Sequence, residues 1–407
     1  MMGRVSAVRQ NQTVRNGDCV KCKRRKLRLL MRNMKKGTIK NTIKSTVGAA
    51  TIAVLLTACA GNKNLQAITE KNIPETRTVA DESAHEKTYE GLLPVPVSCQ
   101  RKNAYDTLNV ATYITRIEGT YFIADCYHDQ ILYHDNITDP LNQWDVLTNE
   151  VHYAHTIASD GTMFVVDDTE NNRLMVFQKM AEGYGQNPED YVHNTEGYVH
   201  TQTLENIGMR PHYVQYDEKK HVFMVWSSIT GEMYMVKRAE EPESNGVYPL
   251  YVDRILKIDE LYGVYVRSFT MMEDGIYFIS GHNNQKIIKA AINSTGDGFD
   301  IIAEYGVADE IAGMVQLTKI GGYYYITVST DNQENQDFAT IIRTDDLGKL
   351  ADGVYEDVYN QFGVSGGTPY YITQIDGRYY MAHHRTSENI IAFDVRDDQI
   401  ENVEIIY

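Results

Sequence analysis

No P-loop, no dinucleotide-binding glycine fingerprint and no His-Glu-x-x-His run occurs in this 407-residue sequence, so the common sequence-legible routes to nucleotide and zinc-protease chemistry are missing. Basic side chains are scarce beyond residue 58, where 25 Lys or Arg face 54 Asp or Glu. The resulting net charge of −29 over that stretch repels nucleic acid, whose binding needs Lys and Arg to displace phosphate counterions. Cysteine is scarce too: after Cys59 only Cys99 and Cys126 remain. That is too few for a disulfide scaffold, and one bridge or two buried thiols fit equally. The twelve histidines are an ordinary number and single out no metal site by themselves.

The first 58 residues are the reverse of the rest, with fourteen Lys or Arg against Asp18 alone. Lys35, Lys36, Lys40 and Lys44 form a positive segment ahead of an apolar stretch, Val47 to Leu56, too short to span a bilayer as a permanent helix. The stretch ends Leu56-Thr57-Ala58-Cys59. This resembles the lipobox of bacterial lipoproteins, which implies cleavage before Cys59, acylation of its sulfur and anchoring on the extracytoplasmic face of a membrane. Met31 or Met34 would open a leader of ordinary length, so residues 1–30 are expected to precede the working start. Cys19-Val20-Lys21-Cys22 has neither a second ligand pair for zinc nor a βαβ context for redox work.

From Ala60 to Glu90 the one aromatic residue is Tyr89, and so polar a segment cannot offset the entropy of ordering. Residues 59–92 therefore read as lipidated cysteine and tether, and 93–407 as the folded domain. In that domain a pattern recurs: a tight turn, an apolar outgoing strand, a polar loop and a third strand. The turns fall at Glu118-Gly119, Asp160-Gly161, Lys219-Lys220, Asp274-Gly275, Gly321-Gly322 and Asp376-Gly377. Intervals of 42, 59, 55, 47 and 55 residues separate them, the length of four-stranded propeller blades with loop insertions. A fourth strand is expected at Trp144-Asp145-Val146-Leu147 and at Val403-Glu404-Ile405-Ile406. The 29 tyrosines favour strands, and no apolar stretch at helical spacing competes.

Asp160-Gly161-Thr162-Met163-Phe164-Val165-Val166-Asp167-Asp168, with Asn172-Arg173-Leu174-Met175-Val176-Phe177, resembles an NHL repeat. The likeness is close over this copy and covers the rest by period. It implies an all-β, six-bladed propeller of four-stranded antiparallel blades, of the NHL or TolB-like kind. A β-sandwich is the rival, but it does not explain the recurrence at blade length.

In a propeller the starts of the inner strands and the loops between second and third strands meet at one end of the axis. Counting five residues back from each turn acid, or its equivalent, picks Tyr113, His155, His212, Phe269, Gln316 and Tyr371 for that ring. Arg210 and Arg267 lie close by, and loop candidates are Asp125, His128, Asp167, Asp168, Trp226, His282, His383 and His384. Adjacent strand residues point to opposite faces, so His383 and His384 cannot both ligate one metal. Trp226 opens the polar run Ser227-Ser228-Ile229-Thr230 and is expected as an exposed indole for stacking. Gly363-Val364-Ser365-Gly366-Gly367 spells a nucleophile elbow, but a strand rather than a helix is expected after it, which makes it an interblade loop.

The ligand-binding candidates are therefore Tyr113, His155, Arg210, His212, Trp226, Arg267, Gln316 and Tyr371, with no cofactor expected and Cys59 as the lipidated residue. The function expected is a monomeric, membrane-anchored binding module presenting a propeller face to a protein, peptide or glycan ligand. The alternative is a metal-dependent, lactonase-like hydrolase or a lyase that uses His155, His212 and an acid such as Asp167.

Overall fold

A computed structural model describes residues 88–99, 101–180, 197–280, 285–311, 313–329, 339–364, 366–384 and 387–407. The leader, Cys59, the tether up to residue 87, Ser365 and His282 lie outside these residues. An edge strand comes first, β1 (Leu92–Ser98). Blade one is β2 (Ala111–Ile117), β3 (Thr120–Asp125), β4 (Gln130–His134) and β5 (Asp145–Thr148). Blade two is β6 (Ile157–Ser159), β7 (Met163–Asp168), β8 (Arg173–Met180) and β9 (Gly197–Leu204). Blade three is β10 (Pro211–Asp217), β11 (Val222–Ser227), β12 (Glu232–Arg238) and β13 (Leu250–Lys257). Blade four is β14 (Val266–Met272), β15 (Gly275–Ser280), β16 (Lys286–Ile292) and β17 (Phe299–Gly306). Blade five is β18 (Met314–Ile320), β19 (Tyr323–Val328), β20 (Thr340–Thr344) and β21 (Glu356–Asp357), and blade six is β22 (Thr368–Ile375), β23 (Arg378–His384), β24 (Ile390–Arg396) and β25 (Gln399–Ile405).

Each blade is an antiparallel meander, and the innermost strands β2, β6, β10, β14, β18 and β22 touch in that cyclic order. The chain is thus an all-β, six-bladed propeller, as the repeat predicts. Among the described residues blade two alone gains a fifth strand, because β1 pairs with β9 through Leu92 opposite Gln202 and Ser98 opposite Val199. The sequence argues against that strand, since Pro94 and Pro96 remove two ladder donors. A sheet edge tolerates the loss and is protected from further pairing by it.

The turns confirm the positive-φ requirement of tight hairpins at Glu118-Gly119 (φ 49° and 89°) and Asp376-Gly377 (φ 50° and 86°). The core fills the gaps between blades. Phe122, Phe164 and Tyr198 join blades one and two, while Val165, Val214 and Phe223 join two and three. Tyr277, Ile287 and Ile326 join four and five, and Tyr325, Ile372 and Met381 join five and six. Both faces of a blade are covered, so second strands such as β7 and β11 are buried along their whole length rather than on alternate residues.

Blades six and one must also meet, and the chain's last residue helps to join them. The Tyr407 carbonyl accepts from Asn389 N at 2.6 Å. Its hydroxyl accepts from Trp144 Nε1 at 3.0 Å and lies 2.5 and 2.7 Å from the carbonyls of Ile137 and Asp139. Arg116 pairs with Asp376 across the same seam. Tyr407→Phe removes this hydroxyl but keeps the ring, so a loss of about 1 to 2 kcal/mol is expected from the missing hydrogen bonds. Urea denaturation should show a lower midpoint with unchanged slope; an unchanged midpoint would show that the seam is closed by packing alone.

Candidate functional site

The outgoing strands end in a repeated device that shapes one end of the axis. In β3 the Asp125 carboxylate accepts from Asn109 N at 2.6 Å, in β7 Asp168 accepts from His152 N at 2.7 Å, and in β11 Ser227 Oγ accepts from Met209 N at 2.7 Å. Each ties down the segment that leads into its own blade. Asp125 also holds His128 at 2.7 Å and Gln130 at 2.9 Å, and Asp168 holds Arg173 at 2.6 Å. These loop candidates are therefore occupied in building the rim.

Past this rim the inner strands carry a bulge, whose extra residue faces no partner on the neighbouring strand. In register, the bulge positions and their blade-two equivalent are Thr112, His155, His212, Arg267, Val315 and Tyr370. All six are buried. The next layer is Tyr113, Thr156, Tyr213, Ser268, Gln316 and Tyr371. Counting from turn acids predicts one ring, and the structure distributes those residues over three levels. His155 and His212 are in the first layer, Tyr113, Gln316 and Tyr371 in the second, and Phe269 lies one residue deeper. The reason is turn chemistry: Asp160 and Asp217 occupy the last strand-pairing position, Glu118 and Asp376 the first turn position, and Asp274 the second.

The two layers close the axis. His155 and His212 stack with ring centres 3.7 Å apart and planes 17° apart. His212 Nδ1 lies 3.0 Å from the Arg267 carbonyl and 3.1 Å from the Tyr371 hydroxyl, which itself donates to that carbonyl at 3.0 Å. A carbonyl only accepts, so this network assigns the proton to Nδ1 and leaves a lone pair on Nε2. Below, Tyr113 and Tyr213 pack edge-on against Tyr371 at 6.0 and 5.0 Å, and Gln316 clasps Ile372 through both backbone groups at 3.2 and 2.6 Å.

Around the stacked imidazoles stand charge and aromatic surface. Arg210 and Arg267 flank the Tyr265 ring, 5.8 and 5.0 Å from its centre, and Arg210 Nη1 pairs with Glu170 at 2.6 Å. Cys126 Sγ sits 3.9 Å from His155 Nδ1. Over this floor lie the partly exposed Tyr127, Tyr153 and His384, with Tyr127 5.1 Å from Tyr153 and 5.7 Å from His384. Nε2 of His155 and of His212 and the Ser228 hydroxyl are buried and, among the described residues, without a hydrogen-bond partner. Such orphaned groups cost about 1 to 3 kcal/mol each, and folds retain them chiefly where function needs them.

Burial, and then the positive charges of Arg210 and Arg267, hold His155 well below the usual imidazole range. Burial, the stacked His155 and both arginines do the same to His212. Burial pushes the Asp167 carboxyl up to about 6. Asp167 meets the backbone N of His155 (2.9 Å), the backbone N and hydroxyl of Thr156 (both 2.6 Å) and the hydroxyl of Thr169 (2.9 Å). The Thr169 hydroxyl also faces the Pro211 carbonyl at 2.8 Å, so its single proton is shared between that carbonyl and Asp167. The carboxyl thus holds the chain at His155 rather than the imidazole, and the carboxylate–imidazole dyad that general-base catalysis uses is not what these contacts form. Among the described residues no three His, Cys, Asp or Glu are grouped to hold a metal ion.

Two expectations are corrected. Trp226 is not a loop residue: it is the fifth residue of β11, fully buried, 4.7 Å from Phe278 in the gap between blades three and four. The blade's second face needs a large side chain there, and that demand outweighs the polar run that follows. His383 is likewise structural, with Nδ1 2.7 Å from the Glu388 carbonyl and Nε2 2.8 Å from the Tyr359 hydroxyl. Cys99 and Cys126 are both buried thiols, and burial raises Cys99 to about 12. Tyr265, Tyr370, Glu170 and Ser228 were missed as site residues. A signal for Ser228 exists in the run after Trp226, whereas Glu170 is placed only by the loop geometry.

By shape the chain belongs with six-bladed propellers. No family model and no curated protein matches its sequence. It is similar in structure to a candidate 6-phosphogluconolactonase from Bacteroides uniformis, with TM-score 0.48 and 11% identity, covering 72% of this chain and 84% of that one. A candidate 6-phosphogluconolactonase from Bacteroides fragilis gives 0.46 and 12%, over 71% and 82%. A Lactobacillus plantarum protein gives 0.39 and 13%, over 72% and 80%. At such identities the likeness concerns the fold alone and says nothing of activity.

Asp167 titrates near 6 in the folded chain against about 3.9 unfolded, so the native state binds the extra proton between those values. Its contribution to stability is present below about pH 4 and is lost as pH rises through about 6. The two histidines act oppositely, since their unfolded forms protonate near 6.5 and stability falls with pH below that. Asp167→Asn should therefore gain more stability than the wild type between about pH 4 and pH 6 in urea titrations; parallel curves would show an ordinary carboxyl. Trp226→Ala should cost about 3 to 5 kcal/mol by leaving a cavity, and should not alter ligand binding at the axial face.

Proposed function

We propose that this chain is an extracytoplasmic lipoprotein, acylated at Cys59, whose propeller binds a protein, peptide or glycan ligand on the face where the inner strands begin. The single observation that supports binding at this face is the set of buried, unsatisfied polar atoms on His155, His212 and Ser228 beneath a partly exposed aromatic rim. Recognition sites combine such apolar walls with a few polar groups aimed at one point. Asp167 holding backbone instead of imidazole favours binding over hydrolysis. The anchor is supported by the Leu56-Thr57-Ala58-Cys59 sequence and the positive, apolar leader before it. Two acyl chains hold a protein to a bilayer stably, where one does not.

Two measurements test the reading. Cys59→Ala should abolish metabolic labelling by fatty acid and move the protein from the detergent phase to the aqueous phase; unchanged partition would remove the anchor. Glycan and peptide arrays probed with the wild type should retain a ligand that Tyr153→Ala and Arg210→Gln release, and retention unaffected by either variant would place binding elsewhere.

A further inference from the structure

We infer that the ligand of this face is an acidic sugar, its carboxylate or phosphate paired with Arg210 and its hydroxyls donating to the buried, unsatisfied imidazole nitrogens once the aromatic rim above them parts; this rests on the binding reading above.

Charge comes first. Two guanidinium groups flank Tyr265 at the axial end of a chain whose residues beyond 58 carry a net of −29. An ammonium-bearing ligand would be repelled there and an oxyanion attracted, with a planar guanidinium well matched to a carboxylate or phosphate. The Arg210 side chain is 9% exposed, and its partner Glu170, 28% exposed, lies toward solvent. Glu170 holds the place on Arg210 that the ligand's own acid group would take.

The second requirement is the opposite of a cation. The network at Nδ1 makes His212 Nε2 an acceptor, buried and without a donor among the described residues. An acceptor beside two arginines is matched by a neutral donor, and the O–H of an alcohol is the simplest one. His155 Nε2 and the Ser228 hydroxyl offer further contacts of this kind. Ser228 stands at the same mouth, its backbone N donating to the Arg210 carbonyl at 3.0 Å and its carbonyl accepting from Val266 N at 3.0 Å. Tyr127 and Tyr153 above provide ring surface for the C–H face of a sugar. One anion, several hydroxyls and an apolar face together describe a uronate or a sugar phosphate. A simple carboxylic acid lacks the hydroxyls, and a neutral sugar lacks the charge.

Isothermal titration of the purified chain with glucuronate, glucose 6-phosphate, glucose and acetate tests this, the two acidic sugars separating carboxylate from phosphate. At least one acidic sugar should bind about tenfold or more tightly than glucose and acetate do. Arg210→Gln should remove that advantage. Glu170→Gln, a change at a partly exposed side chain with folding checked by thermal denaturation, should strengthen acidic-sugar binding because the competing carboxylate is gone. Equal binding of acetate and acidic sugar, no saturable binding of any probe, or weaker binding in Glu170→Gln would overturn the inference. A peptide or neutral glycan held at this face and released by Tyr153→Ala would overturn it too, while leaving the binding reading in place.

Discussion

Every blade of this propeller is a thin sheet with two apolar faces, and neither can be left to water. That requirement organises the rest. A four-stranded meander with Phe122 or Trp226 on its face is not stable alone, and burying it demands a neighbour on each side. The only arrangement in which all six sheets have two neighbours is a closed ring. Closure in turn forces the six inner strands toward one axis, which is why residues as distant in sequence as His212 and Tyr371 come within hydrogen-bonding distance.

The axis solves a packing problem before it offers any chemistry. Six bulged strands leave a gap that must be filled by large or polar side chains, and here Tyr113, Tyr213, Tyr371 and Gln316 fill the lower level. The upper level is different, because its stacked imidazoles each keep one nitrogen unsatisfied beside Arg210 and Arg267. A site made only for packing would favour apolar or fully paired side chains at these positions. The polar cost is concentrated where the loops of blades one, two, three and six meet.

How much of this was legible beforehand depended on whether a residue's role is local. The turns, the third strands and the six-fold count follow from hairpin chemistry, which acts over a few residues, and Glu118-Gly119 shows the expected left-handed backbone. The inclusion of His155, Arg210, His212 and Arg267 near one axial mouth also followed from blade order. Their level along the axis did not, since a shift of one residue in where Asp160 or Asp217 sits relative to its turn moves every upstream residue by one layer. Trp226 was misread for the same kind of reason: whether a residue ends a strand or starts a loop is decided by pairing, here with Tyr213 and Met233. Strand β1 was hidden by its two prolines, which forbid a central strand but not an edge.

The amino-acid sequence by itself determined the acidic character of the domain, the period of the blades, the hairpins that define them and the basic segment ahead of them. Those are properties of composition and short-range backbone preference. The tertiary structure alone decided that the axis is closed, that Asp167 supports a backbone instead of activating a ring, that Tyr407 bridges the last blade to the first, and that Glu170 pairs with Arg210. Each depends on distances between segments that share no local sequence, and only simultaneous burial of all six sheets sets those distances.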